Sequence, residues 1–199
     1  MLHPHTDIGH KYWADILRCS PAPRVVVDAT CGNGHDTSVL AAALHEAGGG
    51  SILAIDIQQL AIDRSRERMP AYDSVDVSWH LGDHAALLEG LDEGSVSLCV
   101  FNLGYLPGGA DKTIVTNATN TVRALKAAER AVRPGGAVSA TLYPGHEEGI
   151  IEESSVLEHA ASLDLGRWSV YHMQWLNQIS KRKKNRRAPS LVLIQHMHS

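Results

Sequence analysis

Apolar runs separated by stretches of helical periodicity recur along most of the chain. The runs predict strands at residues 24–28, 52–57, 75–80, 96–102 and 137–143. Short continuous apolar runs, such as the three valines of the first, are typical of strands buried on both faces of a sheet. The pattern therefore predicts a central sheet with a layer of helices on each side.

Helices are predicted between these strands, at residues 35–47, 58–69, 116–132 and 148–163, with a short one from Asp83. The third long helix is expected to stop at the Arg-Pro-Gly-Gly of residues 133–136. Near the N-terminus, Thr6 is expected to cap a further helix, whose apolar positions are Ile8, Tyr12, Ile16 and Leu17. Strands and helices that alternate in this way form parallel βαβ units with right-handed crossovers.

The last two predicted strands, residues 168–175 and 190–196, have no helical pattern between them. A connection without a crossover helix predicts a hairpin, so the final strand should run antiparallel. The expected fold is therefore α/β and Rossmann-like, a mostly parallel seven-stranded sheet with an antiparallel C-terminal hairpin, as in class I methyltransferases. We expect one domain over residues 1–199, with an N-terminal helical segment at 1–20 and a basic hairpin loop at 177–189.

Composition excludes several other classes of protein. With 44% hydrophobic residues the chain can bury a full core, and a net charge of −4 argues against a uniformly basic nucleic-acid binder. Its three cysteines, Cys19, Cys31 and Cys99, form no CxxC pair, which argues for a reducing compartment and against a disulfide framework or a cysteine zinc site. The 12 histidines are scattered without an HExxH motif, so no metal is expected.

The location of the protein is predicted from two further features. No apolar stretch is long enough to span a membrane, and the first twenty residues lack the apolar core of a signal peptide. We therefore expect no membrane partner. The expected compartment is the cytoplasm, or an organelle matrix or stroma if a transit peptide was removed.

The segment after the first strand has the character of a ligand-binding loop. In open α/β sheets, ligands bind beyond the carboxyl ends of the strands, where the strand order reverses. Here the sequence reads DATCGNGHDT, and Gly32 and Gly34 permit a tight turn that a ligand can approach closely. Thr37 stands where a dinucleotide fingerprint has its third glycine, which argues against a nicotinamide cofactor. The cofactor candidates in this segment are Asp28, Cys31, Gly32, Asn33, Gly34, Asp36 and Thr37.

Polar residues at the ends of the next strands indicate which cofactor the loop binds. Asp56 is placed to accept ribose hydroxyls, and Asp83 to accept from an adenine amino group. Together with Asn102 at the end of the fourth strand, these acids favour S-adenosylmethionine. The alternatives are a strand-end cap for Asp28 and a helix N-cap for Asp83. The same strand ends contribute the remaining cofactor candidates, Ile57, Gln58 and His84.

Four segments resemble one known family. DATCGNGHDT, NLGYLPGG at residues 102–109, GHEEG at 145–149 and the Asn177-Gln178 pair are similar to those of the MnmM (YtqB-like) tRNA wobble-uridine methyltransferases, formerly labelled rRNA methylases. The resemblance extends over about residues 10–193, and NLGYLPGG is its most specific part. It implies methyl transfer from S-adenosyl-L-methionine to the amino group of 5-aminomethyl-2-thiouridine. It also implies tRNA, through its anticodon stem-loop, as the partner.

Methyl transfer is an in-line displacement, so the enzyme's main task is to align the reacting atoms. We expect Asn102 and the backbone carbonyls of Leu103 and Gly104 to accept N–H bonds from the target amine. Tyr105 is expected to stack on or wall the base. The alternative for Tyr143 is core packing, and for His146 a helix-entry position. The substrate candidates are Pro107, Gly108, Gly109, Lys112, Tyr143, His146, Asn177 and Gln178.

A strongly basic run follows Asn177-Gln178. It carries six cations in seven residues, Lys181, Arg182, Lys183, Lys184, Arg186 and Arg187. A solvated loop or a localisation signal is the usual alternative for such a run. Its predicted place at a hairpin tip of an otherwise acidic chain favours contact with an RNA backbone.

Other functions remain open on the sequence alone. The methyl acceptor could be rRNA or a small-molecule amine, or the chain could be a nucleotide- or RNA-binding protein without activity. A dehydrogenase is disfavoured by the missing third glycine and by the lack of a second domain. The sequence is compatible with a homodimer.

Overall fold

A computed structural model describes residues 4–104, 118–175 and 188–198. Its elements are α1 (Pro4–Cys19), β1 (Val25–Asp28), α2 (His35–Glu46), β2 (Gly50–Asp56), α3 (Gln59–Arg68), β3 (Val75–Leu81), α4 (His84–Glu89), β4 (Val96–Asn102), α5 (Ala118–Ala131), β5 (Val132–Leu142), α6 (Glu147–Ala161), β6 (Trp168–Met173) and β7 (Ser190–His196).

The strands form one sheet of seven strands in the order β3-β2-β1-β4-β5-β7-β6. β7 lies between β5 and β6 and runs antiparallel to both. The pairings β1–β2, β1–β4, β2–β3 and β4–β5 are all parallel. The predicted Rossmann-like fold with an antiparallel C-terminal hairpin is confirmed.

Helices cover both faces of the sheet. Because successive side chains of a strand point to opposite faces, Val26 packs with α1, α2 and α3, whereas Val27 packs with α4, α5 and α6. Both side chains are fully buried. This two-sided burial explains why β1 reads as a continuous apolar run.

The first helix differs from its prediction. α1 begins at Pro4, so Thr6 lies within the helix and not at the position before its first residue. Trp13, Ile16 and Leu17 are buried, whereas Ile8 is 42% exposed. The buried face thus follows Trp13, Ile16 and Leu17 at helical spacing, and Ile8 lies to one side of it.

The start of β5 also differs from its prediction. The strand begins at Val132, directly after α5, and Val132 pairs with Val96 while Ala137 pairs with Leu98. The intervening residues make an irregularity in the ladder, at which a side chain on Gly136 would lie 2.6 Å from the Ser97 carbonyl oxygen. The proline–glycine sequence ends the helix as predicted, but the chain continues as an irregular strand and not as a loop.

The described residues contain neither a membrane-spanning helix nor a cluster of metal ligands. None of their helices combines the length and apolar character needed to cross a membrane. Within the same ranges, no three His, Cys, Asp or Glu side chains are grouped as ligands for a metal ion.

Candidate functional site

The predicted site residues that the structure describes lie beyond the carboxyl ends of β1 to β5. β1 lies between β2 and β4, so the strand order reverses beside it. Connections leave this point toward both faces of the sheet and open a crevice between them. The site is built from the loops on either side of this crevice.

The loop after β1 depends on its glycines. Gly32 has φ 52° and Gly34 has φ 77°, a region that favours glycine. A side chain on Gly34 would also lie 2.7 Å from the Cα and Oγ of Ser65 in α3. The Cys31 N–H donates to the Ile55 carbonyl at 2.9 Å, which fastens the loop to β2. The positive φ values agree with the tight turn predicted from these glycines, and the loop is also packed closely against β2 and α3.

Asn33, at the tip of this loop, is held by α3. Its side-chain oxygen accepts from Arg64 at 3.2 Å, and its backbone carbonyl accepts from Arg68 at 2.7 Å. The helix that follows has Gly34 as its N-cap residue and no side-chain cap. The N–H groups of its first turn therefore have no capping side chain to compete with a ligand.

Asp28 lies beneath the loop. It is 1% exposed, and its carboxylate accepts from the Thr37 hydroxyl at 2.6 Å and from the Thr30 N–H at 3.3 Å. Burial raises its pKa to about 7, against the two hydrogen bonds and with a smaller contribution from the charges of Asp36 and Asp56. Asp28 and Thr37 therefore join the end of β1 to the first turn of α2. This geometry agrees with the alternative role of Asp28 as a strand-end cap.

Asp56 lies at the end of β2, next to the glycine loop. Its Oδ2 accepts from the Gly32 N–H at 3.0 Å and its Oδ1 from the Gln58 N–H at 2.9 Å. Burial raises its pKa against these hydrogen bonds. The neighbouring Ile57 is 62% exposed. The Asp56 carboxylate and the solvent-exposed side chain of Ile57 thus lie side by side at this strand end.

Asp83 caps α4 and is bonded to α5. Its Oδ1 accepts from the Ala85 N–H at 3.1 Å and from Asn120 Nδ2 at 2.8 Å, and its Oδ2 lies 3.4 Å from Arg123 Nη1. Burial raises its pKa, but these hydrogen bonds and nearby cations bring the pKa below its usual range. This geometry agrees with the alternative role of Asp83 as a helix N-cap.

Two predicted site histidines are partly buried. His84 packs edge-on against Phe101, with ring centroids 5.8 Å apart, and burial lowers its pKa. His146 is the N-cap of α6, because its Nδ1 accepts from the Gly149 N–H at 3.0 Å. The Nε2 atoms of both rings are buried without a hydrogen-bond partner among the described residues. For His146 the helix-entry alternative describes this geometry.

A chain of polar contacts surrounds Asn102. Its N–H donates to the Thr30 hydroxyl at 2.6 Å, and its Nδ2 donates to Asp36 Oδ2 at 3.0 Å. The other oxygen of Asp36 lies 2.8 Å from Nε2 of His10 in α1. Burial raises the pKa of Tyr143 to about 12, with a further contribution from the charge of Asp36, and its hydroxyl hydrogen-bonds to Asn102. Tyr143 is thus part of this site.

The residues after Asn102 are set by neighbouring backbone. Leu103 is fully buried and its N–H donates to the Thr141 carbonyl at 2.9 Å. Gly104 has φ 151°, and a side chain there would lie 3.6 Å from the Tyr143 ring. Among the described residues, the structure therefore brings Asn102, Leu103, Gly104 and Tyr143 together.

The remaining candidates lie outside the described residues. They are Tyr105, Pro107, Gly108, Gly109, Lys112, Asn177, Gln178, Lys181, Arg182, Lys183, Lys184, Arg186 and Arg187. Conversely, the site contains residues that the sequence did not indicate, namely His10, Thr30, Ser65 and Asn120. His10 is a polar residue next to the buried face of α1, and this position is the signal that could have identified it.

The sheet order and the place of the strand-end site are those of the Rossmann-like class I methyltransferase fold. The model of the family described as "Putative rRNA methylase" matches residues 52–194, and the chain belongs to this family. This confirms the resemblance found in its motifs.

Individual relatives agree with this assignment. A curated Arabidopsis thaliana protein named "tRNA (mnm(5)s(2)U34)-methyltransferase, chloroplastic" is 35% identical in an alignment of 181 residues that covers 87% of this chain and 65% of that protein. The chain thus spans just under two thirds of this relative's length.

Two solved structures are similar over nearly the whole chain. One is a "putative rRNA-methylase" from Clostridium thermocellum, with 30% identity and a TM-score of 0.83 over 99% of this chain and 100% of that one. The other is a "putative methyltransferase" from Streptococcus mutans in complex with SAH, with 27% identity and a TM-score of 0.80 over the same shares.

Proposed function

We propose that this chain is an S-adenosylmethionine-dependent RNA methyltransferase that N-methylates the 5-aminomethyl group of 5-aminomethyl-2-thiouridine at the tRNA wobble position. The observation that carries the proposal is the place of Asn102. It ends β4 at the switch point, and its side-chain amide donates to Asp36 beside Tyr143. An acceptor amine needs a group that accepts its N–H bonds and so aligns its lone pair, and the Asn102 amide oxygen supplies one.

The residues at the ends of β1 and β2 fit the cofactor. The uncapped first turn of α2 offers backbone N–H groups to a carboxylate. The Asp56 carboxylate accepts backbone N–H bonds from Gly32, Ile57 and Gln58 and, with about four lone-pair sites, retains one for a ribose hydroxyl. The exposed Ile57 offers an apolar surface to an adenine ring. When bound, S-adenosylmethionine supplies a methyl group on a positively charged sulfur.

The chain's own residues orient the acceptor and exclude water. Asn102 Oδ1 and the carbonyls of Leu103 and Gly104 accept the N–H bonds of the target amine. Because Leu103 is buried and bonded to β5, these carbonyls are held by the sheet. Tyr143, which is bonded to Asn102, contacts the substrate, and Tyr105 keeps its predicted role of stacking on or walling the base. We assign no general base, since orientation can supply much of the reduction in the barrier.

The choice of tRNA is supported by the name of the Arabidopsis relative, which specifies uridine 34 of tRNA. That name also supports an organelle stroma as one location for this chain. The description of the family favours rRNA as the alternative acceptor. A small-molecule amine is the remaining alternative.

Methyl transfer from labelled S-adenosylmethionine to defined RNAs tests the proposal. We expect label in tRNA that carries 5-aminomethyl-2-thiouridine, and nucleoside mass spectrometry should identify the methylaminomethyl form. tRNA with an unmodified wobble uridine and purified rRNA serve as negative controls. Transfer to rRNA alone, or to neither RNA, would contradict the proposed substrate.

Two variants separate cofactor binding from acceptor orientation. Asn102→Ala should cut turnover heavily and leave the affinity for S-adenosylhomocysteine within a few-fold. Asp56→Ala should instead weaken that affinity by about 10- to 100-fold, because hydrogen bonds to a charged group contribute about 1.5–3 kcal/mol. Isothermal calorimetry and single-turnover rates measure both quantities. If both variants changed turnover and cofactor affinity in the same way, the separate roles proposed for Asn102 and Asp56 would be wrong.

A further inference from the structure

His10 belongs to the N-terminal helix and lies outside the strand ends, yet it contacts the site. Its Nε2 is 2.8 Å from Asp36 Oδ1, and the two side chains are only 16% and 13% exposed. Its ring also packs on Trp13, with centroids 4.8 Å apart. Trp13 is itself buried. The imidazole is therefore fixed by packing on one side and by a carboxylate on the other.

Asp36 controls the orientation of the Asn102 amide. A carboxylate only accepts hydrogen bonds, so the amide must present its NH₂ group to Asp36 Oδ2. The amide oxygen then faces away from Asp36. Without this contact the oxygen and nitrogen of an asparagine can exchange places by a half turn of the side chain. Neither the backbone bond from Asn102 to Thr30 nor the hydrogen bond with Tyr143 prevents that turn, because the Tyr143 hydroxyl can donate as well as accept.

The carboxylate of Asp36 in turn needs to be held. One of its oxygens accepts a hydrogen bond from Asn102 and the other accepts one from His10. The N–H of His10 therefore limits rotation of the carboxylate about its own bond. α1 packs on α2, so the helix carries the imidazole to this position.

We propose that His10 is a positioning residue for methyl transfer: through Asp36 it fixes the Asn102 amide so that its oxygen accepts from the acceptor amine. This inference rests on the proposed function of Asn102. His10 is separated from Asn102 by the Asp36 carboxylate, so it acts without touching the substrate. Its effect is on the orientation of the acceptor and not on the affinity for the cofactor.

Substitutions at His10 test the role of its N–H. His10→Leu removes the donor, whereas His10→Gln keeps an N–H group at a similar reach. We expect His10→Leu to lower kcat by about 10- to 100-fold, in line with the loss of a hydrogen bond to a charged group. We expect His10→Gln to keep kcat within a few-fold of the native value. Asp15→Asn, at an exposed position of the same helix, is the matched control and should leave kcat unchanged.

A double-mutant cycle distinguishes positioning from packing. If His10 acts through Asn102, adding His10→Leu to Asn102→Ala should lower kcat no further than Asn102→Ala alone. The affinity for S-adenosylhomocysteine by calorimetry should stay within a few-fold in all four proteins. Additive losses of kcat, or a loss of cofactor affinity in His10→Leu, would overturn the proposal in favour of a packing role for α1.

A spectroscopic measurement makes the result independent of the acceptor. In a protein labelled with ¹⁵N-asparagine, the side-chain NH₂ resonances of Asn102 are assigned by their loss in Asn102→Ala. With S-adenosylhomocysteine bound, His10→Leu should shift these resonances, and His10→Gln should keep them near their native positions. Unchanged resonances in a folded His10→Leu protein would overturn the inference. Failure of the native protein to methylate tRNA would instead overturn the proposed function. The resonance shifts would still show whether His10 fixes the Asn102 amide.

Discussion

Asp28 shows how a single buried carboxylate supports the candidate site. Its two hydrogen bonds, to Thr30 and Thr37, join β1 to α2. Because burial disfavours the ionised form, the pKa rises from 3.8 to about 7. The folded chain thus binds this proton more tightly than the unfolded chain. The stabilisation from this group is fully present below the unfolded pKa and is lost as pH rises through the folded value.

Asp28→Asn removes this titration with little change of shape. We expect the free energy of unfolding of the native protein, relative to that of Asp28→Asn, to fall by about 2–3 kcal/mol between pH 5 and pH 8. Urea denaturation of both proteins at several pH values measures the difference. A difference that stayed constant or grew with pH would mean that Asp28 is ionised in the folded chain over this range.

At the scale of one element, the turn between β1 and α2 depends on close packing at Gly34. The residue combines a φ of 77° with contact to Ser65, so both strain and collision oppose a side chain there. Gly94 has a similar φ of 66°, but nothing lies within 4 Å of the position of its missing Cβ atom. The two glycines therefore separate backbone strain from collision.

Alanine substitution at the two glycines gives a matched comparison. Gly94→Ala should lower the free energy of unfolding by about 1–2 kcal/mol, which is the strain of a left-handed residue alone. Gly34→Ala should cost more, because α3 must move at Ser65, and it should weaken S-adenosylhomocysteine binding at least tenfold. Chemical denaturation and calorimetry measure the two effects. Equal losses of stability with native cofactor affinity in both variants would show that the loop accommodates a side chain at Gly34.

Elements buried on both faces could be predicted from the sequence, whereas contacts between distant residues could not. β4 and β7 have the predicted bounds, because burial of nearly every position leaves an almost continuous apolar pattern. The start of β5 at Val132 was missed because it depends on pairing with Val96 and not on local periodicity. The same reason applies to His10, which lies 26 positions from Asp36 in sequence.

The charge of the whole molecule is unevenly distributed along the chain. Residues 181–187 contain six of its 18 Lys and Arg residues, against a total of 22 Asp and Glu residues. A polyanion would be repelled by most of such a chain and attracted to this segment. The place of the segment in the fold stays a prediction, because it lies outside the described residues. Its expected role is to hold the anticodon loop, where the target base must be splayed out for chemistry.

Serine substitutions that change the net charge equally at two places test this role. One variant replaces Lys183, Lys184 and Arg186 in the basic segment, and its control replaces Arg18, Arg66 and Lys126, which are exposed on helices. Each phosphate contact to a single strand contributes about −0.7 to the slope of log K against log salt concentration, so losing three should flatten the slope by about 2.

The control should keep the native slope, because it alters the net charge without removing the predicted contacts. Fluorescence anisotropy of an anticodon stem-loop at 50–300 mM salt measures both slopes, with S-adenosylhomocysteine affinity as a check on folding. If both variants flattened the slope equally, the segment would contribute only general positive charge. If the segment variant kept the native slope, the segment would be a solvated loop or a targeting signal. Contact with tRNA would then depend on residues nearer the Asn102 site.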